Sequence, residues 1–128
     1  MSRFEKIMTG DWLLFKSADG ERTFPIQVNP LLMKNDIKRN PELFSFIPIN
    51  ENNLLMNGFI KNVGVETIYY IYKENQNFQI LFDIREERYH FLLNKALFPI
   101  YYIHELQHLM DLCKINDAII SIHVNNLW

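Results

Sequence analysis

The segment His104-Glu105-Leu106-Gln107-His108 has the residue types and spacing of the H-E-x-x-H motif of zinc peptidases. On a helix, two histidines at this spacing lie one above the other, so both imidazoles can bind one Zn²⁺. The glutamate beside the first histidine would then act as the general base on the metal-bound water. A zinc-dependent hydrolase, with zinc as its cofactor, is therefore one function that the motif predicts.

A catalytic zinc site also needs a third protein ligand and an open coordination position. The extended peptidase motif would place a glycine and a third histidine where this chain has Asp111 and Lys114. Another form takes a glutamate from a following helix, but no glutamate follows Glu105. Only Asp111, Asp117 and His123 remain as downstream donors. This ligand set favours a non-enzymatic protein, for which we assign no catalytic, cofactor-binding or metal-binding residue.

The helix that carries the motif has one apolar and one polar side, at about 100° per residue. The apolar stripe consists of Tyr102, Ile103, Leu106, Leu109, Met110 and Cys113. The opposite stripe consists of His104, Gln107, His108 and Asp111, with Glu105 at its border. We expect the apolar stripe to pack on the core and the opposite stripe to face solvent. The second stripe is then the candidate interaction surface.

The length of 128 residues predicts a single domain, with 1–49 and 50–128 as alternative sub-lobes. Hydrophobic residues make up 48% of the chain, which is enough for a substantial core. The net charge of −2 gives no general attraction to nucleic acid. A basic cluster of Lys34, Lys38 and Arg39 is interrupted by Asp36, and we interpret it as a solvated loop.

The single cysteine, Cys113, excludes an intrachain disulfide and fits a reducing compartment. Its place on the apolar stripe predicts that it is buried. Met1–Gly10 has no apolar core of a signal peptide, and no apolar run approaches the ~20 residues that a membrane span needs. We therefore expect a cytoplasmic protein that has no membrane partner.

The N-terminal part of the chain predicts a small β lobe. Three segments are expected to be extended, namely Asp11–Lys16, Arg22–Val28 and Phe44–Ile49. The first two form a hairpin in which Pro25 indicates an edge strand or a bulge. This hairpin fits either a small SH3-like barrel or an open sheet. Between Val28 and Phe44, only a short helix beginning near Leu31 is predicted.

The C-terminal part begins with a short helix between Asn50, a competent N-cap, and Gly58, the expected stop. Four strands then form a predicted antiparallel meander: Phe59–Val63, Thr67–Lys73, Phe78–Ile84 and Arg88–Leu93. The main helix is predicted from Pro99 to about Lys114, followed by a strand at Ala118–Val124. The fold class is therefore α+β, with an antiparallel sheet, one long C-terminal helix packed on it and a small N-terminal β lobe.

Four strings of the sequence together carry a resemblance, in this order: Gly10-Asp11-Trp12, Ile47-Pro48-Ile49-Asn50, Asn57-Gly58-Phe59 and Tyr102-Ile103-His104-Glu105-Leu106-Gln107-His108. They are similar to the Gly-Asp-Trp, Pro-x-Pro-Leu-Thr, Asn-Gly-Phe and Tyr-Val-His-x-Leu-Gln-His strings of short uncharacterised proteins from gut Bacteroidota, their phages and mobile elements. The first proline of the second string is replaced here. In that group the glutamate is often glutamine and the second histidine often asparagine, which a zinc peptidase could not tolerate. The resemblance implies that the helix is a structural and recognition element, and it implies a role in phage or mobile-element biology.

Three functions follow as hypotheses. The first is a small non-enzymatic protein-binding or accessory protein of a phage or mobile element, acting as an inhibitor of a host system or as a subunit of an assembly. The second is the zinc-dependent hydrolase, and the third is nucleic-acid binding through the N-terminal sheet and the basic cluster of Lys34, Lys38 and Arg39. The Tyr69–Tyr72 strand and Trp128 are either buried within one chain or shared in a homo-oligomer, and the sequence leaves both alternatives open.

Overall fold

The computed structural model describes residues 7–113, 115 and 120–122, and its architecture confirms the α+β prediction. The strands are β1 (Trp12–Lys16), β2 (Thr23–Gln27), β3 (Phe44–Phe46), β4 (Phe59–Val63), β5 (Thr67–Tyr72), β6 (Gln79–Asp83), β7 (Arg88–Leu93) and β8 (Ala96–Ile100). The α-helices are α1 (Glu51–Met56) and α2 (Ile103–Leu112). Between β2 and β3 lie a π-helix, Leu32–Ile37, and a 3-10 helix, Pro41–Leu43.

The N-terminal lobe is an open antiparallel sheet with the strand order β2-β1-β3. Of the two predicted alternatives, the described residues therefore form the open sheet. Pro25 lies in the edge strand β2, opposite Leu14, as predicted. An edge strand tolerates proline because the missing N–H can point away from the neighbouring strand. A small core containing Leu13, Ile37 and Phe44 lies under this sheet.

The short helix α1 has both of the predicted end signals. The Asn50 side chain accepts a hydrogen bond from the backbone N–H of Asn53 at 2.8 Å, which satisfies one free donor of the first turn. After the helix, Gly58 has φ +87°, a left-handed conformation that glycine adopts without steric cost. The helix prediction is therefore confirmed, together with its physical basis.

The C-terminal lobe is a five-stranded antiparallel meander with the order β4-β5-β6-β7-β8. The four predicted strands are confirmed, but β8 was not predicted. Pro99 lies within β8, so its assignment to the first turn of the main helix is wrong. The chain turns back at Asn94 and Lys95, both of which have positive φ, at 48° and 70°. A two-residue hairpin turn of this kind usually contains glycine. Because neither position here is glycine, the sequence did not indicate the turn.

The C-terminal helix α2 packs its leucine side on the inner face of the meander. Ile103, Leu106 and Met110 are buried in the main core, beside Tyr70 and Tyr72 of β5. This confirms the core-facing stripe and places both tyrosines inside one chain.

Cys113, by contrast, is exposed, and its predicted burial is wrong. The regular helix ends at Leu112, so Cys113 no longer follows the helical stripe.

Much of the last predicted strand, Ala118–Val124, lies outside the described residues, as do Lys114 and Trp128. Ile120 and Ile122 are buried in the main core and Ser121 is exposed, so the predicted alternation is present where it can be described. These three residues do not belong to a strand. Asn57 holds them through two hydrogen bonds to the backbone of Ser121, at 2.7 and 2.9 Å. Among the helices of the described residues, none is long and apolar enough to cross a membrane.

Candidate functional site

The histidine side of α2 lies against the N-terminal lobe, so α2 is packed on two sides. His104 is only 7% exposed, and its ring packs against Phe46 of β3 with ring centroids 4.6 Å apart. It also stacks on Tyr102, with ring planes 10° apart. The expectation that this stripe faces solvent is therefore wrong for His104. The sequence pattern located the polar side, but the second lobe that covers this side comes from distant residues.

Gln107 connects α2 to the beginning of β1. Its side-chain oxygen accepts a hydrogen bond from the backbone N–H of Trp12 at 2.9 Å. Its side-chain nitrogen donates to the backbone carbonyl of Gly10, also at 2.9 Å. The side-chain amide of Gln107 thus pairs with one backbone donor and one backbone acceptor of the N-terminal lobe, as the backbone of a neighbouring strand would. The indole N–H of Trp12 in turn donates to the carbonyl of Ile120 at 2.7 Å.

His108 contacts a carboxylate that the sequence analysis did not assign to the site. Its Nε2 lies 2.7 Å from Oδ2 of Asp11, a residue 97 positions away in the sequence. The Asp11 side chain is buried, and the same oxygen accepts a hydrogen bond from the backbone N–H of Met8 at 2.8 Å. The downstream donors that the motif suggested all follow it, whereas this carboxylate precedes the motif, within Gly10-Asp11-Trp12.

Glu105 closes the N-terminus of α2. Its Oε1 accepts hydrogen bonds from the backbone N–H groups of Tyr101 and Tyr102, at 2.9 and 3.0 Å. A glutamate at the third position of a helix commonly makes this contact. The sequence therefore held a signal for a helix beginning near Tyr102, which the prediction of a start at Pro99 overlooked.

The motif residues, as arranged, do not fit a catalytic zinc site. The general base would have to be free to face a metal-bound water, whereas Glu105 binds the backbone before α2. His108 directs Nε2 at Asp11, and the rings of His104 and His108 meet edge-on with centroids 5.7 Å apart. Within the described residues, no three His, Cys, Asp or Glu side chains are grouped so that they could hold a metal ion. Asp111, the fourth residue of the predicted surface, is exposed.

An apolar groove of about 460 Å³ lies between the β7–β8 hairpin and α2. We call it the β8 groove and define it by Phe91, Leu93, Phe98 and Leu109 on its walls and His104, Glu105 and His108 at its polar end. Phe98 pairs with Phe91 across the sheet, and Phe91 pairs with Ile80. Both Ile80 and Phe91 are buried, whereas Phe98 at the sheet edge is 49% exposed. The groove was not predicted, because the expected helix start at Pro99 left no strand β8 to form its wall.

Burial lowers the pKa of His104, because desolvation penalises the charged imidazolium. The carboxylates of Asp11 and Glu105 raise the pKa in part, and neighbouring His108 lowers it further. The net direction is downward, so His104 is neutral at neutral pH. Its Nδ1 is buried and has no hydrogen-bond partner among the described residues.

We expect the stability of the protein to fall as the pH drops below about 6.5, the usual histidine value, partly because of His104. The unfolded chain protonates His104 at that value, whereas the folded chain resists protonation because of the lowered pKa. The stabilisation that comes from neutral His104 is fully present above the pKa of the unfolded chain. It is lost as the pH falls from that value toward the lower pKa of the folded chain. His104→Gln should flatten this loss in melting temperatures measured between about pH 7.5 and 5.5. An unchanged pH profile in the variant would contradict the assignment.

Comparison with protein-family models, curated proteins and solved structures gave no match in any of the three searches.

Proposed function

We propose that this chain is a small non-enzymatic protein-binding or accessory protein of a phage or mobile element. It acts as an inhibitor of a host system or as a subunit of an assembly. The observation that carries the proposal is a concentration of exposed large apolar side chains around one sheet edge. These side chains are Leu93, Leu97, Phe98 and Tyr101, each 46–49% exposed. Exposed large apolar side chains that lie near one another are typical of interaction sites in soluble proteins.

The contacts of the motif residues support a non-enzymatic function. Glu105 binds the backbone before α2, Gln107 binds two backbone groups of the N-terminal lobe, and His108 contacts Asp11. Each of these side chains is therefore used to join parts of the fold. Hydrolysis by the zinc mechanism would require the glutamate and both histidines for the metal and its water.

The chemistry of the exposed surface favours a protein as the partner. Aromatic side chains are common energetic anchors at protein interfaces, and Phe98 and Tyr101 are both available at the sheet edge. The net charge of −2 provides no general attraction to phosphate groups. The assignment to a phage or mobile element is supported by the four sequence strings alone. The single free cysteine supports a cytoplasmic location, because reducing compartments keep thiols free.

We expect Phe98→Asp to abolish the capture of a specific partner by the affinity-tagged protein in a Bacteroidota host. A central interface side chain contributes about 2 kcal/mol or more, so recovery should fall by about tenfold or more. Leu31→Asp is the matched control, because Leu31 is a large apolar residue that is 68% exposed and lies outside the β8 groove. Recovery is measured by quantitative mass spectrometry, and both variants are first checked for unchanged melting temperature.

Equal recovery by the two variants would contradict the proposed surface. Elemental analysis tests the non-enzymatic part separately. Stoichiometric zinc in protein purified without chelator, lost on replacement of His104 and His108, would contradict that part of the proposal.

A further inference from the structure

We propose that the β8 groove binds a segment of the partner protein in which an aromatic or large aliphatic residue stands next to a lysine or arginine. This inference rests on the proposed function and specifies the chemistry of the partner. It combines the apolar walls of the groove with the carboxylate of Glu105 at its polar end.

The apolar part of the groove accommodates one large side chain. Phe91 and Phe98 lie on one wall, and Leu109 of α2 lies on the other. The volume of about 460 Å³ is in the range of about 300–1,000 Å³ that is typical of ligand pockets. Aromatic side chains suit such walls, because they bury a large area and form favourable tilted contacts with other rings.

The polar end of the groove accepts hydrogen bonds and carries negative charge. Among the described residues, Glu105 accepts its hydrogen bonds through Oε1, so its second carboxylate oxygen can accept from a ligand. His104 beside it is more than nine-tenths buried, and its lowered pKa keeps the imidazole neutral at neutral pH, so it adds no positive charge to this end. An ammonium or guanidinium group can donate to this carboxylate oxygen, whereas a carboxylate would be repelled by Glu105. The polar end therefore selects a basic side chain.

The shape of the apolar surface favours a protein segment over a small molecule. Leu97 lies on the opposite face of β8 from Phe98, because side chains alternate along a strand. Leu97 and Tyr101 are about as exposed as Phe98, so exposed apolar side chains lie on both faces of this edge of the sheet. A chain segment can cover the groove and this edge together. Pro99 lacks an N–H on the same edge strand, which makes side-chain anchoring the expected mode in place of strand pairing.

The experiment titrates two blocked peptides, Gly-Gly-Phe-Arg-Gly-Gly and Gly-Gly-Phe-Glu-Gly-Gly, into the full-length, isotopically labelled protein. Binding is followed by amide chemical shifts. We expect the Phe-Arg peptide to shift resonances of Phe91, Leu93 and Phe98 and to bind about threefold or more tightly than the Phe-Glu peptide at low salt.

Glu105→Gln should remove this preference and retain binding of both peptides, because glutamine also serves as the acceptor at the helix N-terminus. The control variant is Glu86→Gln, which changes the net charge equally at an exposed turn residue and should keep the preference.

Three results would overturn the inference. They are an absence of shifts around the groove, equal affinity for the two peptides, and a preference that persists in Glu105→Gln. Phenethylamine is titrated as well, and binding as tight as that of the Phe-Arg peptide would make the groove a small-molecule site. If Phe98→Asp prevents partner capture but the peptides show no charge preference, this inference fails and the proposed function stands. If Phe98→Asp leaves partner capture unchanged but the peptides show the charge preference, the proposed function fails and this inference stands.

Discussion

Leu106→Ala is expected to lower the free energy of unfolding by about 2–5 kcal/mol. Leu106 is 1% exposed and lies in the main core with Ile103 and Met110. Alanine would remove the buried methyl groups and leave a cavity between α2 and the sheet, because the close-packed neighbours relax only in part. The measurement is a denaturant titration at equal m-values.

The matched control is Leu112→Ala, on the last turn of the same helix. Leu112 is 78% exposed, so its replacement should change stability by no more than about 0.5 kcal/mol. Both substitutions replace leucine by alanine within α2, and the difference in helix propensity between the two sites is small beside the expected effect of burial. Similar losses in the two variants would mean that the leucine side of α2 does not face the sheet.

Gln107→Ala is expected to lower stability by about 1–3 kcal/mol, because it leaves backbone groups of the N-terminal lobe without a partner. The Trp12 N–H loses its acceptor, and the Gly10 carbonyl loses one donor. Hydrogen exchange at the Trp12 amide should accelerate in the variant, which reports directly on the contact between α2 and β1.

Gln27→Ala is the control for this prediction. The Gln27 side chain donates to the same Gly10 carbonyl at 3.1 Å, but the residue is exposed. Its loss should cost less than about 0.5 kcal/mol, because water replaces the donor. Gln107→Glu adds a further distinction, since it keeps an acceptor for Trp12 but replaces the donor to Gly10. If Gln107→Ala and Gln27→Ala have equal effects, Gln107 does not join the lobes.

The sequence by itself determined the elements whose signals are local. The alternation of Phe78 to Ile84 predicted β6, Asn50 and Gly58 bounded α1, and the spacing of Ile103, Leu106 and Met110 identified the core side of α2. Each of these features depends on residues within one or two turns or along one strand. The strand β8 escaped prediction for a local reason too, because positive φ at Asn94 and Lys95 occurs there without glycine.

The tertiary structure alone decided what the motif residues contact. Periodicity shows which side of α2 is polar, but it carries no information on which distant segment covers that side. Asp11 reaches His108 across 97 positions, and Phe46 covers His104 from a separate strand. The β8 groove likewise is lined by residues of β7, β8 and α2 together, so no single segment encodes it. The histidine pattern therefore predicted zinc chemistry, whereas in the folded chain the residues of this pattern join the two lobes.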